Sequence, residues 1–314
     1  MNRQRGTVLL TGGSGMVGRN VLEFPAASHW NVVAPSSREL DLRDARATAD
    51  FIRKLQPEIV IHAAGRVGGI QANIAAPVDF LVTNLDLGRN IVMAAREAGV
   101  PRLLNLGSSC MYPREAHNPL TESAVLQGEL EPTNEGYALA KIAVARLCQY
   151  VGRERPELSY KTLIPCNLYG PHDKFDPKHS HLVPAIIHKV HTAKVQGRAE
   201  VEIWGDGSAR REFMFAPDLA DAIWRAVGAF DPLPQMMNVG VGRDHSVNDY
   251  YRIAAEVIGW DGRFVHDTSK PAGMKQKLVS TELQAAWGWA PATSLEDGIR
   301  ATYNHYLSLD GVAR

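Results

Sequence analysis

Thr7-Val8-Leu9-Leu10-Thr11-Gly12-Gly13-Ser14-Gly15-Met16-Val17-Gly18 is the stretch on which the fold class turns. Its first five residues form a short β-prone run, glycines at 12, 15 and 18 follow, and the pattern then becomes helical. Such a strand–glycine–helix junction is built to hold a pyrophosphate. Glycine permits the tight turn and lets backbone approach the phosphates, while the helix N-terminus offers free N–H groups and partial positive charge. Three glycines alone mark only a turn. The strand before them and the helix after them, at the first such junction of the chain, point to a dinucleotide site. Gly12, Gly15, Met16, Val17 and Gly18 are its expected contacts.

Outward from that loop the rhythm repeats. Strands are expected at 30–34, 58–62, 103–106 and 161–164, and helices at 45–55, 77–98 and 137–151. The strands are continuous apolar runs without alternation, as in a parallel sheet covered on both faces. Strands alternating with helices give an α/β class, a Rossmann-type doubly wound parallel sheet. After Tyr169-Gly170-Pro171 the chain is richer in Pro, His and Gly and the rhythm loosens. A dinucleotide-binding domain is therefore expected over 1–170. A smaller α/β substrate-binding lobe is expected mainly over 171–314, with a soft boundary because later segments can return to the sheet.

Composition narrows the function classes. The 314 residues carry 34 Lys plus Arg and 34 Asp plus Glu, a formal charge of zero that gives no electrostatic footprint for nucleic acid or an anionic membrane. Three cysteines, Cys110, Cys148 and Cys166, form no Cys-x-x-Cys pair, so neither a zinc site nor a disulfide framework is expected. The opening residues Met1 to Gly6 lack the apolar core of a signal peptide, and no apolar stretch approaches the length of a membrane span. A cytoplasmic protein with reduced thiols is the expectation.

The end of the second strand bears on which dinucleotide is bound. An NAD site usually places Asp or Glu there for the ribose hydroxyls. This chain has Ala34-Pro35-Ser36-Ser37-Arg38, with no carboxylate in the expected place, so Ser36, Ser37 and Arg38 are candidates for a 2′-phosphate and NADP(H) is favoured. Asp41 and Leu42 are expected near the adenine; Asp41 could equally cap the following helix. Further on, Tyr137 and Lys141 stand four apart on one helical face. An ammonium beside a phenol favours its ionised form, and Lys141 can also reach a nicotinamide ribose. The spacing is common by chance. It gains weight here by following a glycine-loop domain and a strand that ends in Ser108-Ser109, whose hydroxyls can bind a carbonyl oxygen.

With these segments in view the chain resembles the nucleotide-sugar branch of the extended short-chain dehydrogenase/reductase family, nearly end to end. The likeness is carried by Val67 to Ile70, Leu106-Gly107-Ser108-Ser109-Cys110-Met111-Tyr112-Pro113, Leu130 to Glu135, Tyr137 to Lys141, Asn167-Leu168-Tyr169-Gly170-Pro171-His172-Asp173, His179-Ser180-His181 and Arg211-Glu212-Phe213. It continues through Lys275 to Leu278 and Trp287-Gly288-Trp289. The resemblance implies an epimerase/reductase of GDP-4-keto sugars. Ser108, Tyr137 and Lys141 match the reductase triad, Cys110 the epimerisation base and His181 the corresponding acid. A 4-keto group acidifies the C3 and C5 protons, so a thiolate can remove them and a group on the opposite ring face can return them.

The resemblance also implies Asn167, Lys189, Trp204, Arg211 and Lys277 as contacts of the GDP-sugar, and a homodimer formed through helices near 77–98 and 137–151. Two positions depart from the family pattern. Ser14 stands where relatives commonly carry an Arg for the 2′-phosphate, and Lys189 or His188 where they often carry Arg. Cys148 and Cys166 read as packing. His172 and His179 are weaker candidates than His181, and a metal site built from these three has no supporting carboxylate or Cys pattern. A sibling enzyme acting on a 6-deoxyheptose or colitose precursor, or a simple 4-reductase, stays open. Dehydratases of the branch carry an acidic pair where this chain has Ser109-Cys110, and C4-epimerases lack the Cys and His pair. A non-catalytic dinucleotide-binding protein is disfavoured by the intact Tyr137 and Lys141.

Overall fold

A computed structural model of the protein describes residues 6–176, 180–269, 275–309 and 311–312. Six parallel strands form the main sheet in the order Met236–Val239, Ser159–Pro165, Arg102–Leu106, Ile59–His62, Thr7–Thr11, Asn31–Val33. The order reverses beside Thr7–Thr11: the second strand lies on one side of it and the third on the other. That switch point opens a crevice at the carboxyl ends of the strands, under the glycine loop, where such sheets take their ligands.

Burial on both faces explains the unbroken apolar strands. Val8, Leu10, Ile59, Ile61 and Leu104 point into one core, and their neighbours Leu9, Val60 and Leu103 into another, all fully buried. The second core is closed by helices Ala45–Leu55, Pro77–Glu97 and Glu135–Glu154 through Ile52, Ile91 and Val144. The first is closed by helices Met16–Glu23 and Ala216–Gly228, joined by the Trp224 indole N–H donating to the Val21 carbonyl at 2.9 Å. Most elements lie where the sequence places them. The cap of the 45–55 helix differs: Asp44 performs it, accepting the Ala47 N–H at 2.9 Å, while the Asp41 carboxylate is taken up by Arg43.

Segments beyond residue 170 contribute to two cores. Leu219, Ile223, Met237 and Val239 join the first core, and Met236–Val239 is the sixth strand of the main sheet. A separate aromatic core gathers Tyr169, Phe213, Tyr250, Trp260 and Tyr306 under helices Leu182–Val195, Val247–Ile258 and Leu295–Leu307. Its strands are short. Glu200–Trp204 pairs with Arg263–Asp267, and Arg210–Arg211 lies between His245–Ser246 and Gln276–Lys277.

Candidate active site

The glycine loop has the shape its chemistry needs. Gly12 has φ of 78°, and a Cβ there would stand 2.6 Å from the Ala64 backbone nitrogen. A Cβ on Gly18 would stand 2.1 Å from the Gly12 carbonyl oxygen. Gly15 is different: exposed, it caps the Met16–Glu23 helix with backbone alone, and a Cβ on it meets only the Gly12 oxygen at 3.4 Å. No acidic residue occupies the first turn of that helix, so its positive end is left for an anion. Met16 and Val17 begin the helix, half-buried.

At the end of the second strand Ser37 and Arg38 are exposed. The sequence reading finds no carboxylate at this turn, and the structure corrects it. Glu39 folds back so that its Oε2 accepts both the Ser36 N–H and the Ser36 hydroxyl at 2.8 Å. The Ser-x-x-Glu spacing of a capping box carries that signal. The Asp41 carboxylate is held down to about 2 by hydrogen bonds from Arg43, and Leu42 buries its side chain with Ile52 and Ile91. The Leu42 carbonyl is likewise engaged, accepting from Asn90 Nδ2 at 2.8 Å.

Ser108 stands two residues beyond the fourth strand and caps the short turn Ser109–Met111, its Oγ accepting the Cys110 N–H at 3.2 Å. The cap fixes Cys110 on the strand's carboxyl end. The Glu135–Glu154 helix lies against this turn and brings Tyr137 close enough to Ser108 for the hydroxyl to favour the ionised phenol. Lys141 follows one turn later, buried, its Nζ 5.9 Å from the Tyr137 ring centroid and donating to the Leu106 carbonyl at 2.9 Å.

The charge balance differs from the sequence expectation. Burial raises the Tyr137 phenol above its ordinary pKa, and the negative charge of Cys110 raises it further, against a smaller opposing effect from Ser108. Lys141 is itself brought down to about 8 by burial. The phenol therefore keeps its proton at neutral pH and is poised to donate it. Below Lys141, burial and the Lys141 charge hold His62 neutral with a pKa of about 3, its Nδ1 bonded to the Thr11 hydroxyl at 2.8 Å.

The remaining residues fall into groups. Lys277 is in register with Arg211 across neighbouring strands, and its ammonium lies 3.8 Å from the Cys110 sulfur. Asn134 donates to the same sulfur at 3.2 Å. The sequence reading includes Asn134 only within the Leu130 to Glu135 segment and gives it no role of its own; its side chain makes no cap bond to the helix that follows. Arg211 is drawn below its ordinary pKa by burial, with Glu131 opposing. Asn167 donates to the Glu212 carbonyl at 2.9 Å. Lys189 and Trp204 form a second group around Glu202: Lys189 donates to its carbonyl, and the Trp204 indole to its carboxylate at 2.9 Å. Trp204 is 57% exposed, which excludes a core role.

His181 is the N-cap of the Leu182–Val195 helix; the residue as a whole is exposed, but desolvation of its imidazole, and then the Lys174 charge, lower its pKa. The Val67–Ile70 segment comes near it: a Cβ on Gly69 would lie 3.8 Å from the Ser180 carbonyl oxygen. His179 lies outside the described residues. Cys148 and Cys166 are buried, and burial raises both thiols, Cys148 to about 12. Among the described residues no group of three or more His, Cys, Asp or Glu could hold a metal ion, and no helix is long and apolar enough to cross a membrane.

A doubly wound sheet with a glycine loop at its first turn and Ser108, Tyr137 and Lys141 beside its switch point defines an extended short-chain dehydrogenase/reductase fold. Residues 8–240 match the NAD dependent epimerase/dehydratase family, and the chain belongs to that family. It is 52% identical to a GDP-L-fucose synthase of Azorhizobium caulinodans, over 96% of this chain and 96% of that one. It is 50% identical to a GDP-L-colitose synthase of Yersinia pseudotuberculosis, over 96% of this chain and 98% of that one. Among solved structures it is similar to a GDP-L-fucose synthetase from Naegleria fowleri bound to NADP, with a TM-score of 0.86 and 26% identity over 97% of this chain and 93% of that one.

Proposed function

We propose that the protein is a GDP-L-fucose synthase, epimerising C3 and C5 of GDP-4-keto-6-deoxy-D-mannose and reducing C4. One observation carries this reading: a half-buried thiol, Cys110, sits on the turn capped by Ser108 and electrostatically faces the Tyr137 phenol. A reductase alone needs Ser108, Tyr137 and Lys141. A thiol on the same turn supplies the base for C–H acidity next to a ketone.

Cys110 as thiolate takes the proton from C3 or C5, becoming a thiol, and His181 returns a proton on the opposite ring face. Ser108 donates to the C4 oxygen, and Tyr137 gives its proton to the alkoxide formed there. NADPH supplies the hydride for C4 when bound. The backbone cradle at Gly12, Gly15 and Gly18, with Met16 and Val17 at the helix start, fits its pyrophosphate. Ser37 and Arg38 would hold the 2′-phosphate, Asp41 and Leu42 would lie by the adenine, and Lys141 would bond the nicotinamide ribose. Asn167, Arg211 and Lys277 hold the diphosphate and sugar, and Lys189 and Trp204 the nucleoside end.

A colitose-forming reading is favoured by the nearly equal identity to the Yersinia relative. It differs by a substrate lacking the 3-hydroxyl, so that only C5 is inverted. Reaction in deuterated water, followed by proton NMR with NADPH and either 4-keto sugar, separates the two. Deuterium at C3 and C5 in a fucose-configured product, abolished by Cys110→Ser, is expected. Turnover of the 3-deoxy substrate alone, with deuterium only at C5, establishes the colitose reading. A reduced product without deuterium refutes the epimerase half.

The protein acts as a homodimer in this reading. Val78 and Val82 on one helix and Leu139 and Tyr150 on the next are exposed apolar side chains, 69%, 48%, 41% and 50% accessible. Faces of this kind on adjacent helices suit a four-helix contact between two copies. Free thiols at all three cysteines support a cytoplasmic site of action.

A further inference from the structure

Glu212 lies between the main sheet and the short strands beyond it. It is 1% exposed, and every partner of its carboxylate among the described residues is a backbone N–H. Oε1 accepts from Val241 at 2.7 Å and from Gly242 at 2.8 Å, in the turn that follows the sixth strand of the main sheet. Oε2 accepts from Val279 at 2.8 Å, two residues beyond Lys277. The backbone of Glu212 is engaged as well. Its N–H donates to the Lys277 carbonyl at 3.2 Å, and its carbonyl accepts from Asn167 Nδ2 at 2.9 Å. Arg211, the residue before it, is in register with Lys277, and the Arg211 carbonyl accepts the Tyr250 hydroxyl at 2.9 Å.

Asn167, Arg211 and Lys277 come from three separate segments, and Glu212 is bonded to two of them and adjacent in the chain to the third. We propose that Glu212 is a positioning residue that holds Asn167, Arg211 and Lys277 as one substrate-binding set and anchors that set to the end of the main sheet. The inference rests on these three side chains contacting the GDP-sugar, as in the function proposed above. Glu212 itself is too deeply buried to touch a ligand.

The arrangement calls for two acceptors at a fixed spacing. The three N–H groups lie on two segments far apart in sequence, and an ionised carboxylate offers lone pairs to both and carries no donor. Glutamine keeps the shape but turns an NH2 group toward one segment, donor against donor, and leaves a buried N–H unpaired. The fit around the carboxylate is close. A Cβ on Gly240 would stand 2.5 Å from Glu212 Oε1 and 2.5 Å from Val279 Cγ2. Gly240 is fixed from its other side by Gln284, which accepts its N–H at 2.8 Å and donates to its carbonyl at 3.0 Å. A methyl group at 240 therefore displaces the Glu212 carboxylate.

The test uses the substrate-free protein, with GDP titrated by calorimetry to read the substrate side and NADPH titrated by fluorescence to read the cofactor side. KM and kcat for GDP-4-keto-6-deoxy-D-mannose complete it. A misplacement of about 1 Å costs up to about 100-fold in a reaction that depends on positioning, so Glu212→Gln is expected to weaken GDP binding about tenfold and to raise KM by a similar factor. NADPH affinity should stay within about twofold of wild type, because no partner of Glu212 belongs to the glycine loop. Gly240→Ala keeps Glu212 in the chain and should give the same split between GDP and NADPH; it decides the matter if Glu212→Gln does not fold. GDP affinity unchanged in both variants overturns the proposal. So does a loss shared equally by GDP and NADPH, or one that falls on kcat with KM unchanged, since either marks a general structural role. Wild-type protein that binds NADPH but not GDP refutes the GDP-sugar reading, and this inference with it; wild-type GDP binding that both variants retain refutes the positioning alone.

Discussion

Alanine at Gly18 and at Gly15 should separate what the glycine loop does for the fold from what it does for the cofactor. At Gly18 the new Cβ would stand 2.1 Å from the Gly12 carbonyl oxygen and 2.6 Å from the Gly13 Cα, both backbone atoms. Favourable contact lies near about 3.5 Å, so the loop must open by about 1 Å. Alanine in a helix interior gains about 1 kcal/mol over glycine, and overpacking costs about 1–3 kcal/mol, so the clash prevails by up to about 2 kcal/mol. Gly15→Ala meets only one atom, at 3.4 Å, and Gly15 has an ordinary φ of −80°. Its stability should change by at most about 1 kcal/mol, from the weaker cap that alanine makes. Its methyl nevertheless stands on the exposed side, where a pyrophosphate must touch the helix N-terminus. A loss of NADPH affinity of at least about tenfold, or about 1.4 kcal/mol, is expected. Urea unfolding reads the first quantity and fluorescence titration with NADPH the second. Gly15→Ala protein that is folded and binds NADPH within about twofold of wild type would refute the placement of the pyrophosphate at this loop.

Lys141 carries its charge below about 8 and loses it above. kcat/KM for C4 reduction should therefore fall as pH rises through that value, and Lys141→Met should lack this basic limb; a wild-type profile flat from pH 7 to 9 contradicts it. His62 is neutral in the folded state, with a pKa near 3, and takes a proton on unfolding below its ordinary 6.5. Its contribution is complete above pH 6.5 and is lost as pH falls towards 3, by about 2 kcal/mol at pH 5. Urea unfolding of His62→Gln should show a shallower loss between pH 7 and 5 than wild type, and parallel curves would exclude the effect. Val78→Glu should leave the fold intact and shift the mass measured by light scattering from dimer to monomer; a dimeric variant rules out this face as the contact.

What the sequence made legible follows from how local the signals are. The strand 7–11 and the helix 45–55 have the expected bounds because a buried parallel strand is a continuous apolar run and the helix carries a strong amphipathic period. Met236–Val239 shows nothing equivalent. It is four residues long and joins the sheet only because the Ala216–Gly228 helix carries the chain back across the first core through Trp224 and Val21. That return is a tertiary contact between residues 203 positions apart, and no local window contains it. The region around the aromatic core is less legible for a related reason: three of its strands, Arg210–Arg211, His245–Ser246 and Gln276–Lys277, are two residues each, too short to show any period.

At the site, placements set by spacing are readable in the sequence, and placements set by convergence are not. Ser108, Cys110, Tyr137 and Lys141 lie on one turn and one helix, so the sequence could bring them together. Lys277 enters the sequence reading only through the family resemblance, as a contact of the GDP-sugar, because an isolated basic residue carries no signal beyond its charge. Its position beside Cys110 depends on the Lys277–Arg211 register and on Glu212, a buried carboxylate that accepts the Val241 and Gly242 N–H groups through one oxygen and the Val279 N–H through the other. The sign of the Tyr137 shift was hidden in the same way. Four-residue spacing brings an ammonium near the phenol, but it cannot tell that the ammonium donates to the Leu106 carbonyl or that the nearer charge is a sulfur. For reduction the observed sign is the useful one. The developing C4 alkoxide needs a proton donor, and a phenol kept protonated by burial and by Cys110 holds that proton until the alkoxide, a far stronger base, claims it.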